Sequence, residues 1–167
     1  MIGKNHKVDR IVAANVVRNF IYGTILVLVG LVVIGNDDSP TVKAGLAGLS
    51  LEMLAIFIAH AYADIVSKRL ILQKSLSSKQ IKDIIMESSF IMVPVILPLV
   101  FLLLTLAHYW GIYMSLLLGM ISCMLMLVII SIISARLEKL SIIKATLLIA
   151  INLFVGLAVV IFEIIAH

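Results

Sequence analysis

Glu52, His60, Tyr62 and Asp64 fall within one apolar stretch, and Glu87 and Asn152 lie in two others. A carboxylate can bind a cation or a proton, and an imidazole with its ordinary pKa of about 6.5 suits proton coupling. An ionisable side chain inside an apolar span is costly, so such groups face a partner, a cavity or a pathway. These six residues are the candidates for a transport pathway, with Glu52 as the central carboxylate and His60 as its switchable neighbour. His60 and Asp64 are one helical turn apart, close enough for the carboxylate to orient the ring.

The elements that must position them follow from composition. The chain has 167 residues, 63% hydrophobic and 13% charged, with a mean hydropathy of +1.23. A soluble domain averages roughly 45–50% apolar and about 25% charged residues, so the solvent for this much apolar surface is lipid. Apolar runs near the length needed to span a bilayer predict an all-α membrane protein with five transmembrane helices, at 12–35, 41–70, 84–107, 112–133 and 140–166, in a single domain. Asn36-Asp37-Asp38-Ser39-Pro40 is a turn cluster, with Pro40 suited to the first turn of the second span. Residues 73–83 read as a short polar connection with one helical turn. Pro94 and Pro98 predict a kink in the third span, and the aromatics of His108-Tyr109-Trp110-Gly111 suit an interfacial turn.

The charges fit this division. Lys4, Lys7, Arg10 and Arg18 come before or within the start of span one. Lys68, Arg69, Lys74, Lys79 and Lys82 lie between spans two and three, and Arg136, Lys139 and Lys144 between four and five. Only Lys43 falls at the other end. The positive-inside bias then predicts the N-terminus inside and the C-terminus outside. The run 21–34 ends in Gly35-Asn36-Asp37-Asp38 without a small-x-small site, so it reads as an uncleaved first helix.

At about 100° per residue, Gly45, Gly48, Ala55, Ala59 and Ala63 lie within roughly 60° of Glu52 around the second span. Small-residue stripes let membrane helices approach closely, which predicts Glu52 in a helix seam or a narrow cavity. Three readings of Glu52 stay open: a hydrogen-bonded packing group, part of a proton or cation pathway with His60, or a contact within a homo-oligomer. Asp64 is expected to pair with Lys68 at i+4. Arg18 is an expected interfacial anchor within reach of Tyr22. Glu87 is expected to stabilise a helix start or to join an inner vestibule. Asn152 needs a partner across a helix pair. Glu163 and His167 are expected in solvent, and Met114, Met120, Met124 and Met126 as apolar filler.

Several function classes find no support. The cations are spread over short loops, a topology signal and not a nucleic-acid face. The single Cys123 provides no disulfide framework or zinc pattern. There is no Gly-rich phosphate loop, no HExxH and no nucleophile–base grouping, so no enzyme is expected. Neither a metal ligand set nor a cofactor is identified.

Gly45-Leu46-Ala47-Gly48, Tyr62 and Ser67-Lys68-Arg69, then Ser89-Phe90 with Pro98, and finally Ser134-Ala135-Arg136-Leu137 with Lys144, together resemble the vacuolar iron transporter-like family of five-helix membrane proteins. The resemblance implies that fold, a homodimer and transport. The family's metal ligands do not carry over: Asn15-Val16-Val17-Arg18-Asn19 and Tyr22-Gly23 contain no acid, Ala61 and Phe57 stand where the family has glutamate and methionine, and a short basic loop replaces the acidic insertion. The expectation is a small transporter or exchanger of a cation, with a divalent metal and proton coupling among its possibilities, in a bacterial plasma membrane. The alternative is a non-transporting scaffold or accessory subunit in which Glu52 fixes helix packing.

Overall fold

A computed structural model describes the backbone of residues 2–166 and the side chains of residues 12–162 and of Ile165. The side chains of Lys4, Lys7, Arg10, Glu163 and His167 lie outside the described residues. The order is α1 (Ile2–Gly35), α2 (Val42–Leu72), α3 (Ser78–Ser88), a 3-10 segment (Ser89–Val95), α4 (Ile96–Leu106), α5 (Ile112–Leu137) and α6 (Ile142–Ala166). Among the described residues there is no strand. Five helical stretches are long and apolar enough to cross a membrane, one of them being α3, the 3-10 segment and α4 in succession.

Local chemistry sets most boundaries, and it moves three of the expected ones. Thr41 caps α2, its hydroxyl accepting from the Ala44 amide at 3.2 Å. Pro40 therefore sits just outside the helix, not in its first turn. The third helical stretch begins at Ser78, well before residue 84. Ser77 Oγ accepts from the Gln80 amide at 3.3 Å, and Gln80 Oε1 accepts from the Ser77 amide at 3.0 Å. This capping box holds the polar 78–83 segment in the helix. At its far end α5 continues to Leu137, past residue 133. Lys139 then takes the left-handed conformation (φ 53°), and the Leu140 and Lys139 amides return to the Ala135 and Arg136 carbonyls at 2.9 and 3.2 Å. That is a Schellman ending, made here without glycine.

The expected interruption of the third span is present. Pro94 has no N–H to donate, and the backbone tightens to 3-10 over Ser89–Val95. Pro98 falls in the first turn of α4, where a missing donor costs little. Helix α1 runs along this broken segment. A Cβ at Gly23 would stand 2.1 Å from the Ile91 carbonyl oxygen, so only glycine permits the two backbones to meet there. The turn before α5 is pinned by hydroxyls: Trp110 Nε1 donates to Ser115 Oγ at 2.6 Å, Ser115 Oγ donates to the Phe101 carbonyl at 2.8 Å, and Thr105 and Ser115 hydroxyls also meet.

The core is shared by α1, α2, the broken span and α5, around Leu28, Leu31, Leu49, Met53, Leu102, Leu116 and Leu127. Helix α1 is central, with 44% of its apolar window buried, and α6 is peripheral, with 6%. Lipid tails are as apolar as these side chains, so dispersion packing and interhelical hydrogen bonds hold the helices together. Met120 and Met124 pack against the core as filler, whereas Met114 is exposed.

Candidate functional site

A polar cluster joins α1, α2 and α3 at the end of the bundle where α1 and α3 meet. Helix α1 contributes Asn15, Arg18, Asn19 and Tyr22, spaced i, i+3, i+4 and i+7 and hence on one face. Helix α2 contributes His60 and Asp64. Helix α3 contributes Glu87 and Ser88, its last residues before the break.

Asn19 is its buried centre. Its Nδ2 donates to the Glu87 carbonyl at 2.9 Å, and that oxygen is an acceptor only, so the amide orientation is determined. Its Oδ1 then faces His60 Nε2 at 2.9 Å. An amide oxygen only accepts, so Nε2 carries a hydrogen and Nδ1 is the free nitrogen of neutral His60. Arg18 Nε makes a longer contact to the same Oδ1, at 3.4 Å. A second amide, Asn15 Nδ2, donates to Glu87 Oε2 at 3.0 Å.

Asp64 gathers the charges. Ser88 Oγ donates to its Oδ2 at 3.2 Å, His60 Nε2 lies 3.5 Å from the same oxygen, and an Arg18 guanidinium nitrogen lies 3.8 Å from Oδ1. The last separation is an ion pair without a hydrogen bond. With the Arg18 side chain 57% exposed, it contributes little by itself. The Tyr22 ring tilts over His60 with centroids 5.9 Å apart. A proton arriving at His60 Nδ1 would create a cation beside Asn19 and Tyr22 of α1 and Asp64 of its own helix, with Arg18 on the other oxygen of Asp64.

The sequence candidates divide accordingly. His60, Asp64 and Glu87 come together. Asp64 engages Arg18, His60 and Ser88 instead of Lys68, because α1 and α3 close over that side of α2. Glu87 does not open a helix, since α3 begins at Ser78; its side chain accepts from Asn15 and its carbonyl from Asn19. Tyr62 faces outward, 69% exposed, and Tyr22 holds the aromatic position. Asn152 bonds elsewhere, its Nδ2 donating to Ser131 Oγ at 2.7 Å between α6 and α5, which is the helix-pair partner its position demands.

Glu52 is half-buried at the α1–α2 contact. Its Oε2 lies 2.7 Å from where a Cβ on Gly30 would be. Eight residues separate it from His60, about 12 Å along the axis, so the two do not form one site. The small-residue stripe is also differently placed than expected. Gly45 packs on Ile34 and Leu102, but Gly48 has nothing within 4 Å, and Ala55, Ala59 and Ala63 are exposed. The buried seam of α2 follows Leu49 and Met53, roughly 80° around the helix from Glu52.

Asn15, Asn19 and Ser88 are the members that charge and hydropathy reasoning passes over, and Arg18, expected as an interfacial anchor, joins them. The signal that finds the α1 members is the i, i+3, i+4, i+7 polar stripe in an otherwise apolar helix. Among the described residues no group of three or more His, Cys, Asp or Glu side chains is arranged to hold a metal ion. The chain matches no protein-family model, no curated protein and no solved structure.

Proposed function

We propose that the protein is a small integral membrane transporter that moves a cation with proton coupling, and that His60 and Asp64 form its coupling pair. One observation carries the reading: a titratable imidazole and a carboxylate, on one helix, are hydrogen-bonded to two other helices beside a break in the third span. Discontinuous spans with polar side chains at the break are a recurring construction of transporter sites, and irregular backbone within a span needs protein or water around it. Protonation of His60 would place a new charge at the junction of α1, α2 and α3, whose mutual packing depends on hydrogen bonds through Asn19 and Asp64.

The charge distribution supports a topology with the N-terminus inside and the C-terminus outside, in a plasma membrane. The open Gly48, Ala55 and Ala59 face of α2 is of the kind at which membrane helices pair. It agrees with the homodimer that the vacuolar iron transporter-like resemblance implies.

A scaffold or accessory-subunit role is the second reading, and one observation favours it: among the described residues every buried side-chain nitrogen and oxygen has a hydrogen-bond partner. A satisfied network can serve packing alone. Flux measurements on reconstituted protein separate the two readings. Transport requires cation-dependent proton movement above that of empty liposomes, which Asp64→Asn reduces; a scaffold moves nothing under any gradient.

A further inference from the structure

A groove of about 1150 Å3 opens between the early part of α1 and the end of α5. Its volume exceeds the roughly 300–1,000 Å3 of sites for drug-sized molecules. Val17, Ile21 and Ile25 give it an apolar wall along α1, and Arg18, Glu138 and Lys139 give it a charged end. It is thus apolar along one direction and net cationic at one end, the shape and polarity of a lipid with an anionic head.

The two cations are available. The only ion pairs among the described residues involve Asp64, with Arg18 and with His60. Arg18 meets that carboxylate only at 3.8 Å, which leaves most of its guanidinium donors without a hydrogen bond. Lys139 is held at the groove by the Schellman ending of α5, at the left-handed position. Basic pockets between membrane helices near the interface are the sites at which anionic head groups are recognised.

We propose that this groove binds one anionic phospholipid, its phosphate between Arg18 and Lys139 and an acyl chain along Val17, Ile21 and Ile25. This site stands whether or not the protein transports. Because Arg18 also faces Asp64, a bound phosphate would draw the guanidinium towards the groove and loosen its hold on the polar cluster.

Delipidated protein in an uncharged detergent is titrated with phosphatidylglycerol and, separately, with phosphatidylcholine of the same acyl chains, and bound lipid is counted by native mass spectrometry. The expected result is one tightly held phosphatidylglycerol and no comparable phosphatidylcholine. Lys139→Gln should weaken retention about fivefold, as expected for one interfacial cation, and Lys79→Gln, outside the groove, should leave it unchanged. Val17→Trp, which fills the apolar wall, should also abolish retention while the protein keeps its melting transition. Equal retention of both lipids, or equal weakening by Lys79→Gln and Lys139→Gln, overturns the proposal. So does inorganic phosphate displacing the lipid at comparable concentration, or a second copy of the chain shielding the groove so that Val17→Trp breaks a dimer instead of losing lipid.

Discussion

Asn19 fixes the tautomer of His60. Its amide nitrogen is committed to the Glu87 carbonyl at 2.9 Å, so its oxygen, 2.9 Å from His60 Nε2, must receive a hydrogen from the ring. One buried side chain on α1 thereby ties α2 to the last turn of α3 and leaves His60 Nδ1 as the ring nitrogen without a hydrogen.

Replacing Asn19 with Leu removes both bonds at once, leaving the Glu87 carbonyl without its side-chain donor and His60 Nε2 with only the longer Asp64 contact at 3.5 Å. The expected loss is about 1–3 kcal/mol for each abandoned group, seen as a lower melting temperature in detergent. Asn19→Asp keeps an acceptor towards His60 but loses the donor to Glu87, so it should melt between the two. A wild-type melting temperature in Asn19→Leu would show that the network does not hold the helices together.

Gly23 is required for a different reason, the 2.1 Å approach that a Cβ would make to the Ile91 carbonyl oxygen. Neither backbone can yield cheaply, so Gly23→Ala should destabilise by about 1–3 kcal/mol, the range for overpacking. Gly48→Ala, with nothing within 4 Å, should be neutral in the single chain. The same thermal melts check both, and equal behaviour of the two variants would contradict the close approach of α1 to the broken segment.

The bond from Asn152 to Ser131 should couple α6 to α5. A double-mutant cycle of Asn152→Ala and Ser131→Ala, read by unfolding in detergent, should give about 0.6 kcal/mol, and at most roughly 1.7. Strict additivity would show that α6 is held by packing alone.

Much of the fold is legible in the chain and much of the site is not, for physical reasons. Apolar runs of spanning length report directly on five membrane-sized helices, and Pro94 reports on the break in the third. The start of α3 is obscured because Ser77 and Gln80, a capping pair, lie in a segment whose polarity resembles a loop. Glu52 stands out by charge on a small-residue face, but a helical wheel shows which residues share a face and not which neighbour meets it: α1 meets α2 at Glu52 and Leu49 and leaves Gly48, Ala55 and Ala59 open. Asp64 could reach Lys68 along its own helix; its turn towards Arg18 and Ser88 depends on tertiary placement of α1 and α3. The stripe Asn15, Arg18, Asn19 and Tyr22 is present in the sequence as a periodicity, and it identifies the cluster once polar residues are weighed with the same period as apolar ones.

Topology has a direct test that uses the lone cysteine. In a Cys123→Ala background, Ser39→Cys between α1 and α2 and Ser75→Cys between α2 and α3 place thiols at exposed positions on opposite ends of the bundle. A membrane-impermeant thiol reagent on intact cells should label Ser39→Cys and spare Ser75→Cys, as the cation bias demands. The reverse pattern would invert the topology.

Transport through the His60–Asp64 pair is tested most directly in proteoliposomes carrying an internal pH indicator, with a monovalent or divalent cation gradient imposed across the membrane. The wild type should move protons in response to the gradient, with a rate that depends on pH. Asp64→Asn should reduce the rate at least tenfold, His60→Gln should remove its pH dependence, and Glu52→Gln should retain most of it. Wild-type flux equal to that of empty liposomes under every cation and pH gradient would contradict the transporter reading, and full, pH-dependent flux in Asp64→Asn and His60→Gln would contradict the role assigned to the pair.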